Sequence, residues 1–142
     1  MIQQLKGLAA LVLAVAAAGS TAAPVDDARL HLEAIAAGDV DALMSGYAEG
    51  ATMVWNGGPL DGVYSGPQQL RELWTKFAKA QGRLEVAVAQ LQENANPKGV
   101  TVSANARFRG ASQTKVRHVL VWRDGKIVSE VWQIDPAMVF PN

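Results

Sequence analysis

The chain has no cysteine and only two histidines in 142 residues. The first absence excludes disulfides, thiolate chemistry and cysteine-bound zinc together. With two histidines as the remaining nitrogen ligands, neither a metal site nor any other cofactor is expected. A charge excess is also missing, since Lys plus Arg equals Asp plus Glu at 13 each. A nucleic-acid binder would show basic residues clustered on one face, so that class of partner is not expected. No internal repeat, low-complexity linker or second domain interrupts the chain, whose length suits one domain with a sizeable core.

Nor is there an apolar run long enough to span a bilayer. The longest, Leu8 to Ala18, follows a positive Lys6 and precedes the small residues Gly19 to Ala23. It is about half the ~20 residues a spanning helix needs and has the layout of a secretory signal. The expectation is a signal peptide over 1–22, cut between Ala22 and Ala23 with Ser20 at the −3 position. Residues 23–142 then form a single periplasmic or secreted domain with no membrane attachment. Losing Lys6 leaves that domain one acidic side chain in excess.

In the domain itself, Val25, Ala28, Leu32, Ile35 and Ala36 fall on one helical stripe, with Asp26 and Asp27 in the favourable first turn. Gly38 ends this helix and Asp39 caps a short second one. His31 sits on the shoulder of the stripe, where a half-exposed surface histidine is the plainest reading. Ala51 to Trp55 reads as a short strand, and Asn56 to Gly62 as a loop that could rim a cavity. Ser65-Gly-Pro-Gln68 suggests a capping box opening a third helix, whose Leu70, Leu73, Trp74 and Phe77 form the apolar stripe. Strands follow over Arg83 to Gln92 and Val100 to Arg109.

The strongest local signal is Gln113 to Ile134, two alternating strands around Asp124-Gly125, the dipeptide of a type I′ hairpin. A regular two-residue turn sets Val121 opposite Val128, Val119 opposite Glu130 and Arg117 opposite Trp132. One face then carries Lys115, Arg117, Val119, Val121, Val128, Glu130 and Trp132. The other carries Val116, His118, Leu120, Trp122, Ile127, Ser129 and Val131. With the first face inward, Arg117 and Glu130 are diagonal neighbours roughly 7 Å apart or closer.

The run AGDVDALMSGYAEGATMVW, the spacing Gly66-x-x-x-Leu70-x-x-x-Trp74 and the hairpin RHVLVWRDGKIVSEVWQ resemble the nuclear transport factor 2-like superfamily. Within it the chain is most similar to the SnoaL-like and ketosteroid-isomerase-like branch, over essentially the whole domain. The resemblance implies an α+β cone, or cystatin-like roll. In it a strongly curved antiparallel sheet of about four strands wraps around three N-terminal helices and leaves a pocket between them. The same scaffold carries isomerases, cyclases, dehydratases, epoxide hydrolases and plain binders. Aligned without gaps, the three positions a ketosteroid isomerase uses fall on His31, Trp55 and Arg117. All three differ from that enzyme's Tyr, carboxylate base and Asp, so its reaction is not expected by that route.

The resemblance moves His31 to the pocket wall and the Arg117/Glu130 face inward, beside Phe108 and its alternating neighbours. The candidate ligand-binding set is His31, Trp55, Phe108, Arg117, Glu130 and Trp132. In it Arg117 anchors an acidic or carbonyl group of a small apolar molecule, Trp55 and Trp132 form walls, and His31 hydrogen-bonds from the helix. In an acid–base enzyme of cyclase, dehydratase or isomerase type, Glu130 with a raised pKa would be the base and Arg117 would stabilise the anion. Mutual neutralisation of a buried Arg117–Glu130 pair explains both residues without either role. A homodimer through the outer sheet face, helped there by His118 and Trp122, is a further expectation.

Overall fold

The computed structural model describes residues 24–141, so the expected signal peptide and its cleavage site lie outside the described residues. Helix α1 spans Pro24–Ala37 and α2 spans Val40–Gly46; after β1 (Tyr47–Asn56) and β2 (Gly62–Ser65) comes α3 (Gly66–Gln81). Four long strands complete the fold: β3 (Glu85–Asn96), β4 (Gly99–Arg109), β5 (Gln113–Arg123) and β6 (Lys126–Ile134). They form one unclosed sheet in the order β2-β1-β6-β5-β4-β3. The expected α+β roll around three helices holds. The sheet has six strands rather than about four, and it is mixed, because β1 runs parallel to β6.

The local signals explain most boundaries. Gly38 at φ 69° ends α1, and the Asp39 side chain accepts from the Ala42 N–H to start α2. The α3 cap differs from the expected box. Ser65 stands at the N-cap without a side-chain bond, and it is Gln69, not Gln68, whose amide oxygen accepts from the Ser65 N–H. Gly62–Ser65, where the sequence suggests no strand, form β2, a four-residue edge strand too short to show periodicity.

The hairpin turn is the expected one, with Asp124 at φ 51° and Gly125 at φ 74°. Its register is not. Arg123 pairs with Lys126 and Trp122 with Ile127, but then Val121 pairs with Ser129, so Val128 is a bulged residue. An extra residue in one strand inverts the facing relation for everything beyond it. Glu130 and Trp132 point inward as expected, and the β5 residues beside them are Val116, His118, Leu120 and Trp122, all buried. Lys115, Arg117, Val119 and Val121 therefore lie on the outer face, where the backbone carbonyl of Met138 and the ring of Phe140 from the C-terminal segment meet Lys115 and Arg107.

The helices cover the inner face, α1 over β3 and β4 and α3 over β1 and β2. Between them lies an aromatic core. Trp55 and Trp132 stack at 4.5 Å on neighbouring strands, Phe108 stacks on Trp132 at 5.2 Å, and Trp74 and Phe77 of α3 close over them at 5.6 to 5.8 Å. Each such pair contributes about 0.5–1.5 kcal/mol beyond simple burial. The rings fill the space expected to hold a ligand. Trp55, Phe108 and Trp132 serve one another as core.

Candidate functional site

Inside this apolar packing sits one charged residue. Glu130 of β6 is 0% exposed, a position that would cost several kcal/mol for an unpartnered carboxylate. It has three partners from three other elements. His31 of α1 brings Nε2 to within 2.9 Å of Oε2. His118 of β5 brings Nε2 to within 2.6 Å of the same oxygen. Tyr47, the first residue of β1, donates its hydroxyl to Oε1 and itself accepts from the Trp74 Nε1–H at 2.8 Å.

These bonds fix the protons. A carboxylate only accepts, so both imidazoles carry hydrogen on Nε2. Nδ1 of His31 has no protein partner among the described residues. Burial by itself would push the Glu130 carboxyl up; the His31 charge and the hydrogen bonds from both histidines outweigh it, holding the carboxyl well below the usual range. Glu130 is thus a firm anion rather than the base of raised pKa expected for it. Burial, then the neighbouring Glu130 charge, raise the Tyr47 hydroxyl well above its ordinary value, so it stays a neutral donor.

His31 is 6% exposed and forms part of the wall of a groove of about 570 Å³ at the α1–α2 end of the cone. Leu30, Ala34, Trp122 and Ile127 give this groove an apolar lining, while Asp27, Glu33, Asp39 and Lys126 supply its charges. The Asn56–Gly62 loop is not its rim. That loop lies at the opposite end of β1, where Asn56 pairs with Gln133, whereas the groove lies near Tyr47 and Ile127.

Of the six residues singled out by sequence, the structure brings His31 and Glu130 together and puts Trp55, Phe108 and Trp132 in the core. Arg117 is excluded from the interior. It faces outward, half-buried, and donates to the Asn105 side chain at 3.1 Å, so it neither neutralises Glu130 nor reaches a ligand inside. The apolar alternation of β5 turns Arg117 out, and the bulge at Val128 puts Glu130 on the His118 face instead. Tyr47, Trp74 and His118 were missed. His118 carried the best available signal, being the one polar residue on an otherwise apolar alternating face of Val116, Leu120 and Trp122. One buried polar atom lacks a partner among the described side chains, Trp132 Nε1, and an unpaired N–H of this kind costs about 1–3 kcal/mol.

Comparison with known proteins agrees with this architecture. An epoxide hydrolase/cyclase-like enzyme, SalBIII of salinomycin pyran-ring formation, superposes with a TM-score of 0.58 at 21% identity, covering 80% of this chain and 92% of that one. A proposed dehydratase of the NTF2-like family from Streptomyces avermitilis gives 0.62 at 18%, covering 80% and 97%. A protein of unknown function with a cystatin-like fold from Nostoc punctiforme gives 0.61 at 14%, covering 80% and 90%. At these identities the likeness concerns the fold. No curated protein sequence matches significantly. Residues 28–130 match the family model of the SnoaL-like domain. That stretch runs from α1 to Glu130 and is most of the chain, which therefore belongs to the SnoaL-like domain family.

Proposed function

We propose that this is an exported pocket protein that holds a small apolar molecule bearing a carbonyl or hydroxyl group in the α1–α2 groove. One observation carries the reading: His31 is anchored through Nε2 by a buried carboxylate and stands in the wall of a largely apolar groove. Holding a ring by one nitrogen fixes the direction of the other, which is how a pocket orients a ligand with few polar groups. An acidic ligand group is not retained, because Arg117 faces away and Asp27, Glu33 and Asp39 outnumber Lys126 around the groove. Export rests on Lys6, the apolar run to Ala18 and the Ser20-x-Ala22 cleavage pattern. It implies a periplasmic or secreted domain beginning at Ala23. A homodimer through the outer sheet face would rest on Val119, Val121 and Val131 rather than on the buried His118 and Trp122.

Native mass spectrometry of the protein isolated from the exported fraction tests both parts. The expected result is a chain starting at Ala23, within one residue, carrying a bound small molecule that Ala42→Trp displaces by filling the groove from its exposed side. A chain that keeps its first residues defeats the export reading, and a ligand that survives Ala42→Trp defeats the groove reading.

The carboxylate–imidazole pair favours one second reading, an acid–base enzyme of cyclase, dehydratase or isomerase type. In it the proton-transfer role falls to His31, through Nδ1 at the groove, while Glu130, sealed in and ionised, orients the ring and stabilises its imidazolium form. His31→Gln would then keep the ligand and lose turnover, whereas in a binder it weakens affinity and no turnover exists to lose.

A further inference from the structure

Both histidines of the chain, from elements far apart in sequence, deliver the same ring nitrogen to the same oxygen of one buried carboxylate. We propose that His31, His118 and Glu130 bind one divalent first-row transition ion, zinc being the ion that suits them best. Two imidazoles and one glutamate are a recognised three-ligand zinc set, which leaves a fourth position for water or substrate oxygen. The three donor atoms lie within 4.8 Å of one another. Around zinc, with bonds near 2.0–2.2 Å, such atoms sit about 3.3 Å apart. Oxygen–nitrogen contacts of 2.9 and 2.6 Å therefore need to open by less than about 1 Å, and the two Nε2 atoms, within 4.8 Å of each other, to close by up to about 1.5 Å.

The surroundings match the proposal. A ligating carboxylate needs its second oxygen held, and the Tyr47 hydroxyl, itself steadied by Trp74, holds Oε1. Trp132 Nε1 is buried without a partner in a ring that meets His118 edge-on at 6.0 Å. His31, in the groove wall, offers the ion a route from solvent.

Binding replaces the hydrogen on both Nε2 atoms by the ion. Each imidazole gives up its Nε2 hydrogen; a neutral ring then carries its proton on Nδ1, and Glu130 coordinates as the anion it already is. If both rings are neutral, none of their protons is released and the change is tautomeric; each ring that starts as imidazolium releases one. On either path His31 turns a hydrogen-bearing Nδ1 toward whatever lies beside it. The site goes beyond the groove reading, since an ion could bind with no small molecule present.

The test uses the tag-free exported chain, stripped with a chelator, dialysed and titrated with zinc chloride. Calorimetry should give one zinc per chain. Nitrogen NMR of the wild-type protein should show Nε2 of both histidines losing hydrogen together as zinc is added. His118→Gln and Glu130→Gln should each lower affinity about tenfold or more. Ala42→Trp, which fills the groove but removes none of the ligands, should slow zinc loading and leave the equilibrium affinity within about twofold, so failure of the groove reading and failure of the ion site are separable. Substoichiometric binding overturns the proposal, as does zinc that leaves either Nε2 protonated. Should a variant fail to fold, the wild-type NMR titration decides alone.

Discussion

Leu120 stands opposite Glu130 in the β5–β6 ladder, one residue away from the partner a regular hairpin would give it. The difference is Val128, the bulged residue just past the turn. It lets Ile127 and Glu130 both face the core although three positions separate them, and it puts Glu130 on the His118 face rather than the Arg117 face. The histidine–carboxylate cluster is thus a product of a β-bulge, a device found next to functional sites more often than chance.

The turn that starts this ladder should tolerate substitution poorly. A side chain at Gly125 would meet nothing within 4 Å, so crowding is not the issue, but its φ of +74° is a region β-branched residues resist. Gly125→Val is expected to cost about 1–3 kcal/mol as backbone strain. A urea midpoint equal to the wild type would mean that the turn relaxes into another type without cost.

Arg117→Met should be mild. The side chain is half-buried on the outer face with one bond, to Asn105, so the loss is expected to be no more than about 1.5 kcal/mol. Ligand capture by the groove should be unchanged. Lost capture would show that Arg117 acts on the interior after all.

Where the sequence was readable, and where it was not, follows from the range of each signal. The α1 stripe, the Asp39 cap, the Asp124-Gly125 turn and the SnoaL-like pattern are local, and all stand in the structure. Glu130 and His31 both belong to the candidate set that pattern and resemblance single out, but the partner expected for Glu130 is Arg117. The link of Glu130 and His31 to His118 and Tyr47 depends on one unpaired residue, Val128, and nothing in KIVSEVWQ marks a bulge, since no glycine or proline sits there. The alternation in β5 did hold the answer. Lys115 and Arg117 stand on one face and an almost wholly apolar set on the other, and hydrophobicity assigns the second face to the core. A regular register puts the other face inward, and only the bulge reconciles Glu130 with this assignment. Trp55, Phe108 and Trp132 illustrate a different ambiguity, because aromatic residues suit a core and a ligand wall equally until volume decides.

Acid stability offers a check on the charge of Glu130. Its carboxyl is held below the unfolded value of about 4.3, so its contribution is complete above that pH and lost as pH falls toward the folded value. The groups facing it are His31, His118 and Tyr47. In chelator-treated protein the urea midpoint should drop below about pH 4.3, and the drop should be shallower in Glu130→Gln. Parallel acid limbs in the two proteins would mean that Glu130 is not ionised in the folded state.

Tyr47→Phe is the sharpest test of how far the cluster is integrated. The hydroxyl is both donor to Glu130 and acceptor from Trp74, so removing one oxygen leaves a buried N–H and a buried carboxylate oxygen each short of a partner. Unsatisfied buried groups cost about 1–3 kcal/mol each, more when charged, against about 0.5–1.5 kcal/mol for an ordinary bond lost. Tyr64 provides the comparison within the same protein, because its hydroxyl makes one part-buried bond to the Leu60 carbonyl. Tyr47→Phe should therefore lower stability in urea by at least about 2 kcal/mol and Tyr64→Phe by about 1. Equal losses at the two positions would show that Trp74 and Glu130 find other partners, and that the cluster is looser than its hydrogen bonds suggest.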